Sequence, residues 1–302
     1  MAPNDADDDR HEDPDPTDEF RCAFVTLVGR PNVGKSSLVN AICGAKVSIV
    51  SDKPQTTRHR VRGIYNEPGA QLVFVDTPGL HKPVTALGAR VNATAIDSVK
   101  EADVTIDVVC LVVDATAPLG AGDRWVADHV DLPRAVVVVN KVDRARPTVV
   151  LAQLAAAGEL GAEAYFAVSA HRGDGLDALV RHLVGRAPVG PAMFRLDVVR
   201  DVPPEQWVAE LVREQLLAVT RDELPYSIAT RVSEWEGSHI TVEILVERES
   251  QKGMVIGKGG RILKQAGERA RAQMPEGTYL ELRVKVYKDW QQRPDRVERL
   301  GY

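Results

Sequence analysis

The sequence predicts an α/β domain built on a mostly parallel sheet with helices on both faces, followed by a small α+β domain. Three observations predict this. From residue 21 onward, short β-branched apolar runs alternate with longer helical stretches, the pattern of parallel strands covered on both faces. A Gly- and Pro-rich segment, Gly185-Arg186-Ala187-Pro188-Val189-Gly190-Pro191, then interrupts the alternation. Beyond it the order changes to helix, strand, strand, helix, helix, strand. The 302 residues suffice for two ordinary domains, each with a core.

The first element is a tail. Residues 1–19 hold nine acidic side chains and one Arg, a net of −8, with almost no large apolar residue, so disorder is expected. The whole chain carries −5, which leaves the remainder at +3. The three cysteines, Cys22, Cys43 and Cys110, are odd in number and lack CxxC spacing. A disulfide framework or zinc site is therefore not expected, and a reducing compartment fits. No apolar run approaches the ~18 residues of a spanning helix, and Met1 is followed by acids rather than by a secretory leader. The expectation is a cytoplasmic protein.

Strands are expected at Ala23–Val28, Leu72–Val75, Val108–Val113, Ala135–Val139 and Tyr165–Val168. Four of their ends carry motifs. Gly29-Arg30-Pro31-Asn32-Val33-Gly34-Lys35-Ser36 matches GxxxxGK[ST], follows a strand and opens a helix on which Leu38, Val39 and Ile42 recur. Such a loop turns backbone N–H groups on phosphate oxygens at a helix N-terminus. Lys35 reaches the outer phosphates, and Ser36 offers a hydroxyl to Mg²⁺. Asp76-Thr77-Pro78-Gly79 puts a carboxylate where it can face Mg²⁺ and the Gly79 N–H where it can sense a γ-phosphate. In Asn140-Lys141-Val142-Asp143, the Asp143 carboxylate can accept from guanine N1–H and the exocyclic amine, a pair adenine lacks. Asn140 would fix the loop, the Lys141 stem would cover the ring, and Ser169-Ala170 would offer the Ala170 N–H to guanine O6.

In this unpermuted order the motifs resemble the P-loop GTPases of the translation-factor class, over roughly residues 21–185. The resemblance implies a Thr that closes over Mg²⁺ when GTP is bound. Thr56 and Thr57 are the candidates, Thr57 preferred, and Ser36, Thr57 and Asp76 form the expected metal set. In the nucleotide set the phosphate-loop residues run from Gly29 through Ser37 and the next group from Asp76 through Leu80, beside Asn140–Asp143, Ser169 and Ala170. Leu80 stands where Ras-like enzymes carry a water-orienting Gln, so slow intrinsic turnover is expected; the adjacent His81 reads as a solvated loop residue. Relatives with an apolar residue there include GTPases that use K⁺, coordinated in part by an Asn within the phosphate loop, and Asn32 occupies the matching position. The expected catalytic groups are thus Asn32, Lys35, Thr57 and Gly79.

In the second domain, residues 250–302 hold 12 basic and 6 acidic side chains, the one stretch suited to a polyanion. Within it, Ile256-Gly257-Lys258-Gly259-Gly260-Arg261 carries a GxxG loop between helical segments, with Lys264 one turn on. That loop lets helix ends approach a nucleic-acid backbone, and the order αββααβ is similar to a type II KH domain. A GTPase domain followed by a KH domain resembles the Era family. Supporting matches are Pro54–Arg58, Pro118-Leu119-Gly120 and the closing Trp290…Arg293-Pro294…Leu300-Gly301-Tyr302. The expected division is tail 1–19, GTPase domain 20–187, linker 188–196 and KH domain 197–302. The resemblance implies a monomer that binds GTP or GDP with Mg²⁺ and grips the 3′ region of 16S rRNA during small-subunit assembly. It also implies a peripheral contact with the inner face of the cell membrane.

Two other readings compete. A passive RNA-binding factor with a structural nucleotide site is kept alive by Leu80. A GTPase subunit of a tRNA-modifying complex would predict a reactive C-terminal Cys or a cofactor domain, and it is weakened because no Cys follows Cys110.

Overall fold

The structure, a computed structural model, describes residues 20–80, 85–105, 108–220 and 224–302. The predicted acidic tail and His81 lie outside the described residues. In chain order the first elements are β1 (Arg21–Val28), α1 (Lys35–Cys43), β2 (Val61–Glu67), β3 (Ala70–Asp76), α2 (Ala86–Thr105) and β4 (Val108–Asp114). Then come α3 (Ala121–Ala127), β5 (Val136–Asn140), α4 (Pro147–Gly158), β6 (Ala164–Ala167), α5 (Leu176–Arg186) and β7 (Arg200–Asp201). The remainder is α6 (Pro204–Val219), α7 (Leu224–Ser227), β8 (Ala229–Glu236), β9 (His239–Val246), α8 (Glu249–Ile256), α9 (Arg261–Arg271), β10 (Tyr279–Val286) and α10 (Pro294–Arg299).

The first sheet has seven strands in the order β6-β5-β4-β1-β3-β2-β7. β1 runs parallel to β3 and β4, and β5 and β6 continue that direction. β3 and β5 are buried along their whole length, as strands covered on both faces must be. On one face, Leu176, Leu179, Val180 and Leu183 form the apolar stripe of α5 and pack with Ala23, Val25 and Leu27. On the other, Val28, Leu111, Val113 and Leu80 pack with Val126 and Ala157. The motif loops are thereby gathered at the C-terminal ends of adjacent parallel strands, where α/β sheets bind ligands.

Two strands extend this sheet beyond the sequence expectation. β2 pairs antiparallel with β3, and β7 pairs antiparallel with β2. β7 lies past the expected linker 188–196, so the sheet of the first domain runs beyond it. That linker is strapped down: the buried Gln71 Oε1 accepts the N–H groups of Met193 (2.8 Å) and Phe194 (2.9 Å).

In the second sheet, order β10-β9-β8, β9 is antiparallel to β8 and parallel to β10. A bulge at Ser233 interrupts the β8 register. The hairpin is preceded by α7, a single turn, and its first strand begins at Ala229. Val208, Val212 and Leu216 of α6 pack on Ile240, Val242 and Ile244. The opposite side of α6 is buried too, with Arg213 and Glu214 facing the first domain. A fourth cluster joins the domains: Leu87 and Val91 of α2 meet Leu245, Trp290, Val297 and Tyr302.

Candidate functional site

A cavity of about 360 Å³ opens at the C-terminal edge of β1 and β3, lined by Gly34, Lys35, Ser36, Ser37, Thr57, Gly79 and Lys141 among others. Its loop is held by close backbone packing. Gly34 adopts φ 96, and a Cβ there would lie 2.4 Å from Asn140 Nδ2; a Cβ on Gly79 would lie 2.6 Å from Pro31 N and Cα. No side chain fits at either position. Lys35 Nζ donates to the carbonyls of Gly29 (3.0 Å) and Arg30 (3.1 Å), and burial pushes its ammonium down to about 8 against the pull of Asp76.

Three elements bring the expected metal set together. Ser36 Oγ donates to Asp76 Oδ2 at 2.7 Å and lies 2.9 Å from Thr57 Oγ1. Thr56 turns away, its hydroxyl donating to Lys53 O at 2.7 Å, so of the two candidates Thr57 faces the site. Burial raises the Asp76 carboxyl, opposed by the Ser36 hydrogen bond and Lys35. Asp76 Oδ1 is buried and accepts no hydrogen bond. Two hydroxyls and a carboxylate with one unpartnered oxygen are a hard-oxygen donor set that fits Mg²⁺.

The base side is equally ordered. Asn140 is buried; its Nδ2 donates to Val33 O at 3.0 Å and its Oδ1 accepts the Ala170 N–H at 3.1 Å. The Ala170 N–H therefore holds the loop here. Lys141, at φ 67, places its ammonium on Asn32 O and on Asp114 Oδ2, 2.6 Å away. Ser169 Oγ donates to Asp143 Oδ1 at 2.7 Å and holds that carboxyl below its ordinary value.

Other expected nucleotide residues contribute differently. The Arg30 guanidinium pairs with Asp123 at 3.0 Å, which leaves its backbone to the phosphate loop. Thr77 Oγ1 donates to Leu27 O at 2.6 Å and braces β3 against β1. Val33, Pro78 and Leu80 are buried, and the Leu80 N–H donates to Gly29 O at 3.2 Å. Asn32, at φ 65, donates through Nδ2 to Asp52 O at 2.8 Å. Val142 opens a short helical turn through Arg144, its N–H on Val168 O at 3.2 Å.

A second concavity, about 380 Å³, lies between α9 and β10, lined by Gly260, Leu263, Lys264, Gly267, Arg271, Leu280 and Leu282 among others. The GxxG loop opens it: Lys258, Gly259, Arg261 and Lys264 are exposed, while Ile256, Gly257 and Gly260 are half-buried. The sequence reading stopped at Lys264. Residues 260, 263, 264, 267 and 271 recur at helical spacing, a signal that would have extended the groove. Leu280 and Leu282 come from β10, and no local motif marks them. Among the described residues no helix is long and apolar enough to cross a membrane, and no cluster of three His, Cys, Asp or Glu side chains suits a metal.

Comparison with known proteins agrees with this geometry. The family model described as 50S ribosome-binding GTPase matches residues 24–141, and the KH domain model matches 223–291. The chain is 45% identical to GTPase Era of Mycobacterium bovis (strain BCG / Pasteur 1173P2), covering 94% of this chain and 99% of that protein. Era of Mycobacterium tuberculosis (strain ATCC 25177 / H37Ra) gives the same figures. A single-residue variant of Aquifex aeolicus Era bound to GDP and aluminium fluoride superposes with a TM-score of 0.87 at 36% identity, over 94% of this chain and 99% of that one. Era in complex with MgGDPNP and nucleotides 1506–1542 of 16S ribosomal RNA matches with the same score, identity and coverage. Both domains, in this order and over nearly the full length, are shared with these relatives, and the chain belongs to the Era family of GTPases.

Proposed function

We propose that this chain binds GTP with Mg²⁺, hydrolyses it slowly, and holds single-stranded RNA from the 3′ region of 16S rRNA in the α9–β10 groove during small-subunit assembly. The observation that carries the reading is the meeting of Ser36, Thr57 and Asp76, from three separate elements, around an unpartnered carboxylate oxygen. The Era relative solved with MgGDPNP and 16S rRNA supports both halves.

Gly29–Ser37 would wrap the phosphates, with Lys35 on the outer ones. Ser36, Thr57 and Asp76 would hold Mg²⁺, whose charge would offset that of the β- and γ-phosphates. The Gly79 N–H would meet the γ-phosphate. Asp143 would read guanine, braced by Ser169, while Asn140 ties both loops together. Leu80 is buried at 1% exposure and cannot orient water, which favours slow unaided turnover. K⁺ beside Asn32, whose amide already meets the Asp52 carbonyl, would add positive charge at the phosphates. Lys258, Arg261 and Lys264 would meet RNA phosphates, with bases over Leu263, Leu280 and Leu282. The two activities divide between a nucleotide domain whose sheet ends with β7 at Asp201 and an RNA-binding domain that begins at α6, in a cytoplasmic protein.

The test is GTP turnover with and without fragments of the 16S rRNA 3′ end, in KCl and in NaCl. Turnover that rises with RNA supports an RNA-linked switch; negligible turnover under every condition would leave only a passive binder. Equal rates in the two salts would remove the K⁺ assignment.

A further inference from the structure

Arg213 belongs to the second domain, yet it reaches into the nucleotide loop of the first. Its side chain is fully buried. Nε and Nη2 donate to the two carboxylate oxygens of Glu210 at 2.8 and 2.6 Å, and Nη2 also donates to the backbone carbonyl of Thr56. The third nitrogen, Nη1, is buried without a partner.

Stability does not account for this arrangement. Burying a guanidinium and a carboxylate carries a desolvation penalty that their attraction offsets only in part, and well-packed apolar residues usually do as well or better. What the pair does accomplish is geometric. The Thr56 carbonyl and the Thr57 N–H belong to one rigid peptide plane, so anchoring the carbonyl fixes the orientation in which Thr57 leaves it. Just beyond, Arg58 donates to Ile228 O at 2.7 Å, and the His59 ring stacks on Tyr302 at 4.7 Å. Upstream, Glu214, one residue along α6, accepts the Val50 N–H at 3.0 Å. The second domain thus holds the loop on both sides of Thr57, whose own hydroxyl turns the other way, to Ser36.

We propose that Arg213, held by Glu210, is a positioning residue for GTP hydrolysis: from the second domain it anchors the Thr56 carbonyl and so sets the Thr57 hydroxyl at the phosphate site. The proposal rests on the reading of Thr57 as a metal-contacting residue. It makes α6 the link through which a displacement of the RNA-binding domain alters turnover. GDP, which lacks the phosphate over which this loop closes, should not depend on it.

The test uses the full chain and the double variant Glu210→Met/Arg213→Met, which removes both buried charges together so that neither is orphaned. Expected are a thermal midpoint at or above that of the parent protein and unchanged affinity for a fluorescent GDP. Turnover of GTP should fall on the order of ten- to a hundredfold, the usual cost of a small misplacement in an active site. The Mg²⁺ concentration for half-maximal turnover should rise, a readout that loss of stability alone would not move. Parent-like turnover and Mg²⁺ dependence in a folded double variant would overturn the proposal. If that variant does not fold, Arg213→Gln serves. Its amide can still meet Glu210 but is too short to hold Thr56, and unchanged turnover with it would be equally fatal. Thr57→Ala separates the two levels. Unchanged turnover in Thr57→Ala would overturn the reading of Thr57 and the proposal with it; slow Thr57→Ala beside a fast double variant would remove only Arg213.

Discussion

Replacing Asp143 by Asn should exchange guanine for xanthine preference, and the local hydrogen bonds dictate the sense of the change. Ser169 Oγ accepts the Arg172 N–H at 3.0 Å, so its own proton is directed to Asp143 Oδ1, 2.7 Å away. An Asn at this position would turn its oxygen to Ser169 and its amine to the base. Guanine presents two donors there, so an acceptor pair is lost and donor meets donor. Hydrogen bonds to a charged group contribute about 1.5–3 kcal/mol each. Two of them amount to about 3–6 kcal/mol, or a loss in GTP affinity of roughly 10²–10⁴-fold. Xanthine has a carbonyl in place of the exocyclic amine and can accept from the new amine. Competition of GTP and XTP against a fluorescent nucleotide measures both affinities. An Asp143→Asn protein that still prefers GTP would refute the assignment of the base-reading carboxylate.

Four further outcomes are expected. Lys258→Asp should weaken binding of a single-stranded RNA oligonucleotide about tenfold or more at low salt and reduce the salt slope by about one, with GTP affinity unchanged; fluorescence anisotropy across a salt series reads both. In Gly79→Ala the new Cβ would lie 2.6 Å from the Pro31 backbone and push the phosphate loop aside, so GTP turnover should fall more than GDP affinity in a steady-state assay with a GDP competition arm. The buried Lys35 ammonium has a value near 8, and a bound polyanion raises it. Nucleotide binding then takes up a proton, and calorimetry should show affinity falling as pH rises above about 8, a limb that Lys35→Met should lack. Trp290 is fully buried and donates to Ser227 O at 3.1 Å. Trp290→Ala should destabilise the second domain by about 3–5 kcal/mol in urea unfolding, and a loss under about 1 kcal/mol would contradict the packing described.

The site was readable where its chemistry is local in sequence. Gly29–Ser36, Asp76–Gly79 and Asn140–Asp143 each occupy one turn at a strand end, so spacing alone implies the geometry. The same holds for the GxxG loop. β2 was missed because Val61-Arg62-Gly63-Ile64-Tyr65-Asn66-Glu67 is neither continuously apolar nor strictly alternating. It is an antiparallel strand near the sheet edge, where burial is partial. β7 is two residues long and exists only through its pairing with β2. Arg213 was invisible for a different reason. On α6 it reads as an ordinary (i, i+3) partner of Glu210, and its contact with Thr56, 157 residues away, exists only once the domains are docked. Between Thr56 and Thr57 the sequence offers no more than a preference for Thr57, and the geometry decides, since both are hydroxyls in the same loop.

The placement of β7 also limits how the molecule can work as a machine. Between Asp201, the last residue of β7, and Pro204, the first of α6, only Val202 and Pro203 intervene. Two consecutive prolines fix their own φ angles and restrict the residue before them. The second domain is therefore attached by a stiff, two-residue pivot to the edge of the very sheet whose other strands carry the nucleotide loops. It cannot drift away on a long leash; its freedom is a swivel about one point. A pull on RNA seated in the groove would arrive at the first domain as torque on β2, the strand that directly follows the Thr57 loop.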